Sequence, residues 1–344
     1  MYRLSRSLWF ITLLLLTDSA FAIEFPQPRY DDNCQIIRDL IEQLPPRGGR
    51  IEIPAGTYTC KAPLIIAKSH VVLKGAGKNR TIFRLADWVH APLLVVGHPH
   101  TVQKDGKLVT PWRVEKIKIE GMTFDGNKDN HDVKKECGET HCDGDATSIR
   151  NNAISIRGAS FVLIQDVSAH SSISGGLVTE KYCDHLKIVR FESYNNYFDG
   201  FAGYETEKSL FVDVDLHHNR GAGISIDIRF NDNTFRGGAL RDNGDVGVFA
   251  RDLSGNLFEK MKITGSGNHG VFLASSVEGN KQFCASDNIF RDVEILNSKL
   301  IGLRVNDGCE GNRVVGQSVL RGNRDGCVSD DGQTYVEPGV RCEN

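Results

Sequence analysis

The chain has 344 residues, a formal net charge of −3 and a pI near 6.4. That balance excludes bulk attraction to nucleic acid or to an anionic membrane, so an acidic partner would have to be held by local cations. The 9 cysteines set an expectation of disulfides in an exported chain.

Residues 1–22 read as a signal peptide. Basic Arg3 and Arg6 precede an apolar run from Leu8 to Leu16, and Ala20-Phe21-Ala22 supplies a small-x-small cleavage site. The apolar run is too short to span a bilayer, so the mature chain is expected to be soluble and either secreted or periplasmic. Residues 23–344 are expected to form one domain.

From Asp31 to Leu44, the residues Cys34, Ile36, Ile37, Leu40, Ile41 and Leu44 recur at helical spacing. The spacing predicts an amphipathic helix with Asp32 or Asn33 as N-cap, ended by Pro45-Pro46 and Gly48-Gly49. Its expected role is to cover the open apolar end of the strands that come after it. Those short strands begin at Gly49–Tyr58, Val71–Gly75 and Gly121–Asn127.

Between 127 and 152 the pattern stops in a polar stretch holding Asp129, His131, Asp132, Glu136, Cys137, Glu139, His141, Cys142, Asp143 and Asp145. Two readings stand side by side. One is a lid beside a groove or a calcium site of oxygen ligands; the other is a solvated acidic loop stapled by Cys137–Cys142. No cofactor is required by either reading; calcium is possible in this stretch, while a zinc site built on the cysteines has no CxxC spacing to support it.

From Ala159 to Asp331 the sequence repeats itself. A glycine followed by hydrophobic–x–hydrophobic recurs at Gly176, Gly200, Gly223, Gly247, Gly270, Gly302 and Gly326, in steps of 24, 23, 24, 23, 32 and 24 residues. Asn233, Asn256, Asn288 and Asn312 stand 14 residues before the last four glycines, and Phe235, Phe258, Phe290 and Val314 follow two later. Short strands alternating with Gly and Asn corners at this period mean a solenoid of coiled strands, an all-β right-handed parallel β-helix. The glycines and asparagines are expected at corners needing φ > 0, the asparagines bonded in a ladder and the Phe column inward. The 32-residue step marks an insertion near Val277–Ser286, expected to bulge as a loop. Residues 327–344 are expected to fold back over the last coil. Because coils touch only their neighbours, the expected pairs are Cys34–Cys60, Cys137–Cys142, Cys284–Cys309 and Cys327–Cys342, with Cys183 single.

Residues two and four past each glycine should point outward. The column four past reads Glu180, Tyr204, Asp227, Arg251, Ala274, Asn306 and Asp330. Lys181 and Glu205 flank it one position on, and His217, His218 and Arg220 lie in the turn before Gly223. A phenol between two carboxylates with cations at the edges suits proton transfer, with a solvated polar face as the alternative.

The opening strands and coils resemble the pectate-lyase-like superfamily of β-helix proteins. Gly175-Gly176-Leu177-Val178-Thr179-Glu180-Lys181 and Asp199-Gly200-Phe201-Ala202-Gly203-Tyr204 further resemble the mannuronan C5-epimerases. In that family Tyr-Gly-Phe-Asp-Pro-His-Glu on one coil is followed by Asp-Gly-Phe-Val-Ala-Asp on the next. By chain order Glu180 stands at the motif's His and Tyr204 at its second Asp; a shift of one coil puts Tyr204 and Asp227 there instead. The resemblance implies removal of the C5 proton of a uronate in an acidic polysaccharide, ending in epimerisation or β-elimination. Tyr204 would transfer the proton, Asp227 or Glu180 would set its ionisation, and Arg251, Arg220 or Lys181 would neutralise the uronate. A glycoside hydrolase using Asp227 with Glu180 or Glu205, and a non-catalytic glycan-binding monomer using outward Phe249 and Phe272, remain open.

Overall fold

Segments of three to eight residues with alternate residues apolar cannot hold a fold singly, because their backbone groups and one face need partners above and below. In the computed structural model, which describes residues 32–135, 149–278 and 280–343, each segment finds the same segment one coil away. Leu177 pairs with Phe201, then Ile224, Val248, Val271, Leu303 and Val328, all in parallel. The coils build one 18-stranded and one 16-stranded sheet, and a separate two-stranded hairpin pairs Val102–Lys104 with Lys107–Val109. The architecture is a right-handed parallel β-helix.

Inward positions stack into ladders. Phe235, Phe258 and Phe290 lie ring on ring with centroids 5.1 and 4.8 Å apart, and Val314 continues the column, fully buried. Their spacing is the strand-to-strand distance of a sheet, so apolar packing and hydrogen bonding share one period. The Asn column is also buried: the Asn256 side-chain amide donates to Asn288 Oδ1 at 3.0 Å, and that of Asn288 to Asn312 Oδ1 at 3.1 Å. A second ladder, Asn196–Asn219–Asn243, runs at another corner with bonds of 2.8 and 3.0 Å.

The corner chemistry differs from expectation in one respect. The left-handed residue is the one before each ladder asparagine: Asp232, Gly255, Asp287 and Gly311, at φ 57°, 70°, 58° and 72°. The repeated glycines are required by closeness instead. A Cβ on Gly223 would lie 2.8 Å from the Gly247 carbonyl oxygen, and one on Gly247 2.6 Å from that of Gly270. Only Gly326, the last of the column, has positive φ, at 116°.

The single α-helix among the described residues, Gln35–Gln43, buries Ile37 and Ile41 against the first coils beside the strand Leu64–Ile66. It starts after Cys34, with neither Asp32 nor Asn33 as its N-cap. Asn33 instead bonds the backbone of Thr57 and Thr59, and Asp32 pairs with Arg38. Asn33 thereby ties the start of the helix to the strand edge. No described helix is long and apolar enough to cross a membrane.

The insertion is an antiparallel hairpin, Ser275–Glu278 with Lys281–Ser286, rather than a loop. The C-terminal segment does not fold back: Tyr335–Val336 and Arg341–Glu343 pair in parallel with the preceding coil and extend the solenoid. Disulfides join Cys34–Cys60, Cys284–Cys309 and Cys327–Cys342, while Cys183 is unpaired and buried. Burial pushes the Cys183 thiol up to about 12, which keeps it unreactive. Cys137 and Cys142 lie outside the described residues. Opening Cys284–Cys309 by a double Cys→Ser substitution is expected to cost about 2–5 kcal/mol. Thermal unfolding with and without reductant checks this, and an unchanged midpoint would contradict it.

Candidate active site

The outward face of the 16-stranded sheet carries the column. Phe201–Gly203 pair residue for residue with Ile224–Ile226, but Tyr204 then pairs with Ile228. Asp227 is the extra residue of a β-bulge, so Tyr204 and Asp227 do not share a rung. Gly203 makes room here: a Cβ on it would meet the Phe230 ring at 2.6 Å.

Arg157, one coil before Glu180, heads the column and pairs with it in register. Its guanidinium donates through Nη1 to the Glu180 carboxylate. The side chain is fully buried, and its Nε and Nη2 have no hydrogen-bond partner. At the other end Arg251 donates to Asp227. The column is therefore two guanidinium–carboxylate pairs with a phenol between them.

Burial raises the Tyr204 phenol to about 12, and the charges of Asp199, Asp227 and Glu180 add to the shift while Arg150 opposes it. The phenol stays protonated at neutral pH, so it can donate a proton but not accept one. Asp199, at the corner just before Gly200, is raised to about 6, chiefly by burial. The Ala222 N–H (2.7 Å), the Ser225 hydroxyl and Arg150 stabilise its anion, and Asp245 opposes them. Burial and like charge thus set two titratable groups far apart on the pKa scale.

Other expected members are elsewhere or already engaged. The Lys181 backbone N–H, not its ammonium, donates to Glu205 Oε2 at 3.1 Å, and Glu205 also holds Arg229, which covers the Tyr182 ring. Arg220 lies over the Tyr197 ring at 4.2 Å. His217 ends the strand Leu210–His217 of the 18-stranded sheet, in a stack where Tyr194 lies between His217 and His170 at centroid spacings of 5.1 and 4.7 Å. Burial lowers the His217 pKa. Exposed His218 meets it with ring nitrogens 2.9 Å apart. Both histidines belong to a different face, because the corner after His217 turns the chain before Gly223. Phe249 and Phe272 do face outward beside Arg251, edge to face at 5.8 Å.

Asp199, Arg150 and Arg157 escaped the sequence reading. Asp199 opens the Asp-Gly-Phe motif, so its signal was present. Arg157 precedes the first repeated glycine, and Arg150 belongs to the interrupted stretch, so neither falls in a repeat column.

For a metal, Glu192, Asp215 and His217 bring ligand atoms within 4.8 Å of one another. Both Asp215 oxygens accept from Arg241, at 3.0 and 2.6 Å, which puts a guanidinium beside any cation there. Of the polar stretch read as a lid or calcium site, residues 136–148 lie outside the described residues, and Asp129, His131 and Asp132 are described.

Residues 152–338 match the family described as right handed beta helix region. No curated protein matches the sequence. Among solved structures, a mannuronan C-5 epimerase A-module from Azotobacter vinelandii is 15% identical with a TM-score of 0.61, over 91% of this chain and 95% of that one. ORF18 of Geobacillus virus E2 is 16% identical with a TM-score of 0.63, over 91% of this chain. The chain spans only 56% of that viral protein. The catalytic domain of an α-1,3-glucanase, 10% identical, aligns over 92% of this chain and 65% of its own length with a TM-score of 0.53. At such identities the likeness is one of fold, and with the family match it carries one conclusion: the chain belongs to the right-handed β-helix region family.

Proposed function

We propose that this is an exported, carbohydrate-active enzyme that moves the C5 proton of a uronate in an acidic polysaccharide, as a lyase or a C5-epimerase. The observation that carries the reading is the Tyr204 phenol, held protonated beside an Asp199 carboxyl raised to about 6. Asp199, ionised above that pH, takes the C5 proton, and the C–H electron pair is delocalised into the uronate carboxyl. Arg251, part-exposed at the end of the column, neutralises that carboxylate. Tyr204 then gives its proton either to C5 from the opposite face, inverting the centre, or to the glycosidic oxygen as the C4–O bond breaks and a C4–C5 double bond forms. The epimerase among the solved structures of this fold supports the substrate class.

A second reading, glycoside hydrolysis, is favoured by Asp199 and Asp227 as two carboxyls in different environments, one of them raised. Incubation with alginate, pectate and glycosaminoglycans in heavy water separates the outcomes. Ultraviolet absorbance of an unsaturated product means lyase, and deuterium at C5 without cleavage means epimerase. New reducing ends alone overturn the proposal in favour of hydrolysis. No change on any polymer, with glycan binding retained by Tyr204→Phe, leaves a binding protein.

A further inference from the structure

We propose that His90 and His131 form a seat for a borderline-soft divalent cation of the zinc class, at the N-terminal end of the solenoid and apart from the Tyr204 column. His131 follows the short turn Lys128–Asn130, and its side chain is 8% exposed. Both its ring nitrogens are buried without a hydrogen-bond partner, and so is Nε2 of His90. A neutral imidazole has one donor and one acceptor to satisfy, and buried polar groups are normally paired. Three orphaned nitrogens on two facing rings point to an absent common partner.

The pair geometry fits one ion. The ring centroids are 5.5 Å apart, with the rings nearly perpendicular at 85°. Two imidazoles bound to one tetrahedral ion at the usual zinc–nitrogen distance would have centroids roughly 5 Å apart. The local backbone holds the rings there. Trp88 sits at φ 63°, a conformation bulky residues rarely adopt, and its N–H donates to the Asn130 carbonyl at 3.1 Å. That bond ties the corner carrying His90 to the turn carrying His131.

The surroundings are consistent with a cation. Asp87 and Asp125 both act on His131 through space, against burial and His90, which lower its pKa. The protein ligands offered are the two imidazoles; Asp87 is exposed and accepts the Asn127 side-chain amide on Oδ1 at 2.8 Å. Paired imidazoles disfavour calcium, which takes oxygen ligands.

The test uses the mature, disulfide-bonded chain stripped with chelator and titrated with Zn²⁺ and Ca²⁺, read by calorimetry and thermal shift. One Zn²⁺ should bind and raise the unfolding midpoint, and Ca²⁺ should not displace it. His90→Ala and His131→Ala should each weaken Zn²⁺ binding by more than about 100-fold, beyond what loss of an outer-sphere partner brings. His217→Ala, in the other candidate cluster, should leave it unchanged. If His131→Ala does not fold, half-buried His90 supplies the variant, and zinc-edge absorption of the wild type should count two imidazoles. No Zn²⁺ binding, full binding in the double variant, or loss in His217→Ala alone would each overturn the proposal.

Discussion

Tyr204→Phe is expected to lower turnover of the polymer by roughly 10²–10⁴-fold, the usual contribution of a positioned proton donor. The variant keeps the ring and loses only the hydroxyl. Stability should change by no more than about 1.5 kcal/mol, the net worth of one hydrogen bond. Substrate binding should persist, because Arg251 is untouched. The residual rate should still rise with pH through about 6, since Asp199 remains to titrate. Initial rates across pH, with circular dichroism as the fold control, check this. A variant with wild-type turnover would remove Tyr204 from the chemistry. A variant that is unfolded would show that the hydroxyl has a structural partner.

Asp199→Asn is expected to do the opposite to stability while also stopping turnover. The folded carboxyl is raised from 3.8 to about 6, so between those values the native state binds more protons than the unfolded chain. Its contribution to stability is therefore full below about pH 4 and is lost as pH rises through about 6. At 1.36 kcal/mol per unit, the loss by neutral pH is up to about 3 kcal/mol, less whatever solvent at the corner screens. Asparagine keeps the oxygen that accepts the Ala222 N–H but carries no charge. At about pH 7.5 the variant should melt above the wild type, and the two curves should converge toward about pH 4. Denaturant titrations at several pH values measure the difference directly. A wild type that gains stability relative to the variant between about pH 4 and 6.5 would contradict the assignment. The pairing of higher stability with lost activity is what a functional buried carboxylate predicts.

Much of the architecture was legible in the residues. Gly176 to Gly302 and Asn233 to Asn312 announce the coil because a solenoid repeats one environment every coil, and stacking makes each position answer to the same position above and below. The disulfides between neighbouring coils follow from that locality, as does the inward Phe column. The reason for the glycines was misread: in one dimension, a corner that needs φ > 0 and a backbone too close for a Cβ look the same.

The site was legible only where it falls in a repeat column. Glu180, Tyr204, Asp227 and Arg251 lie four past successive glycines, so outward alternation finds them. Three things needed the tertiary structure. The bulge at Tyr204 shifts register by one residue, and no period can show a single insertion that leaves the coil length almost unchanged. Asp199 owes its raised pKa to burial under neighbouring corners and to like charge from Asp245, contacts made between coils. Arg157 and the His90–His131 pair arise where the repeat is broken, and there sequence distance says nothing about spatial distance. A repeat determines its own rungs because every rung sees the same neighbours. Corners and insertions see unique neighbours, and only the folded chain decides which charges meet there.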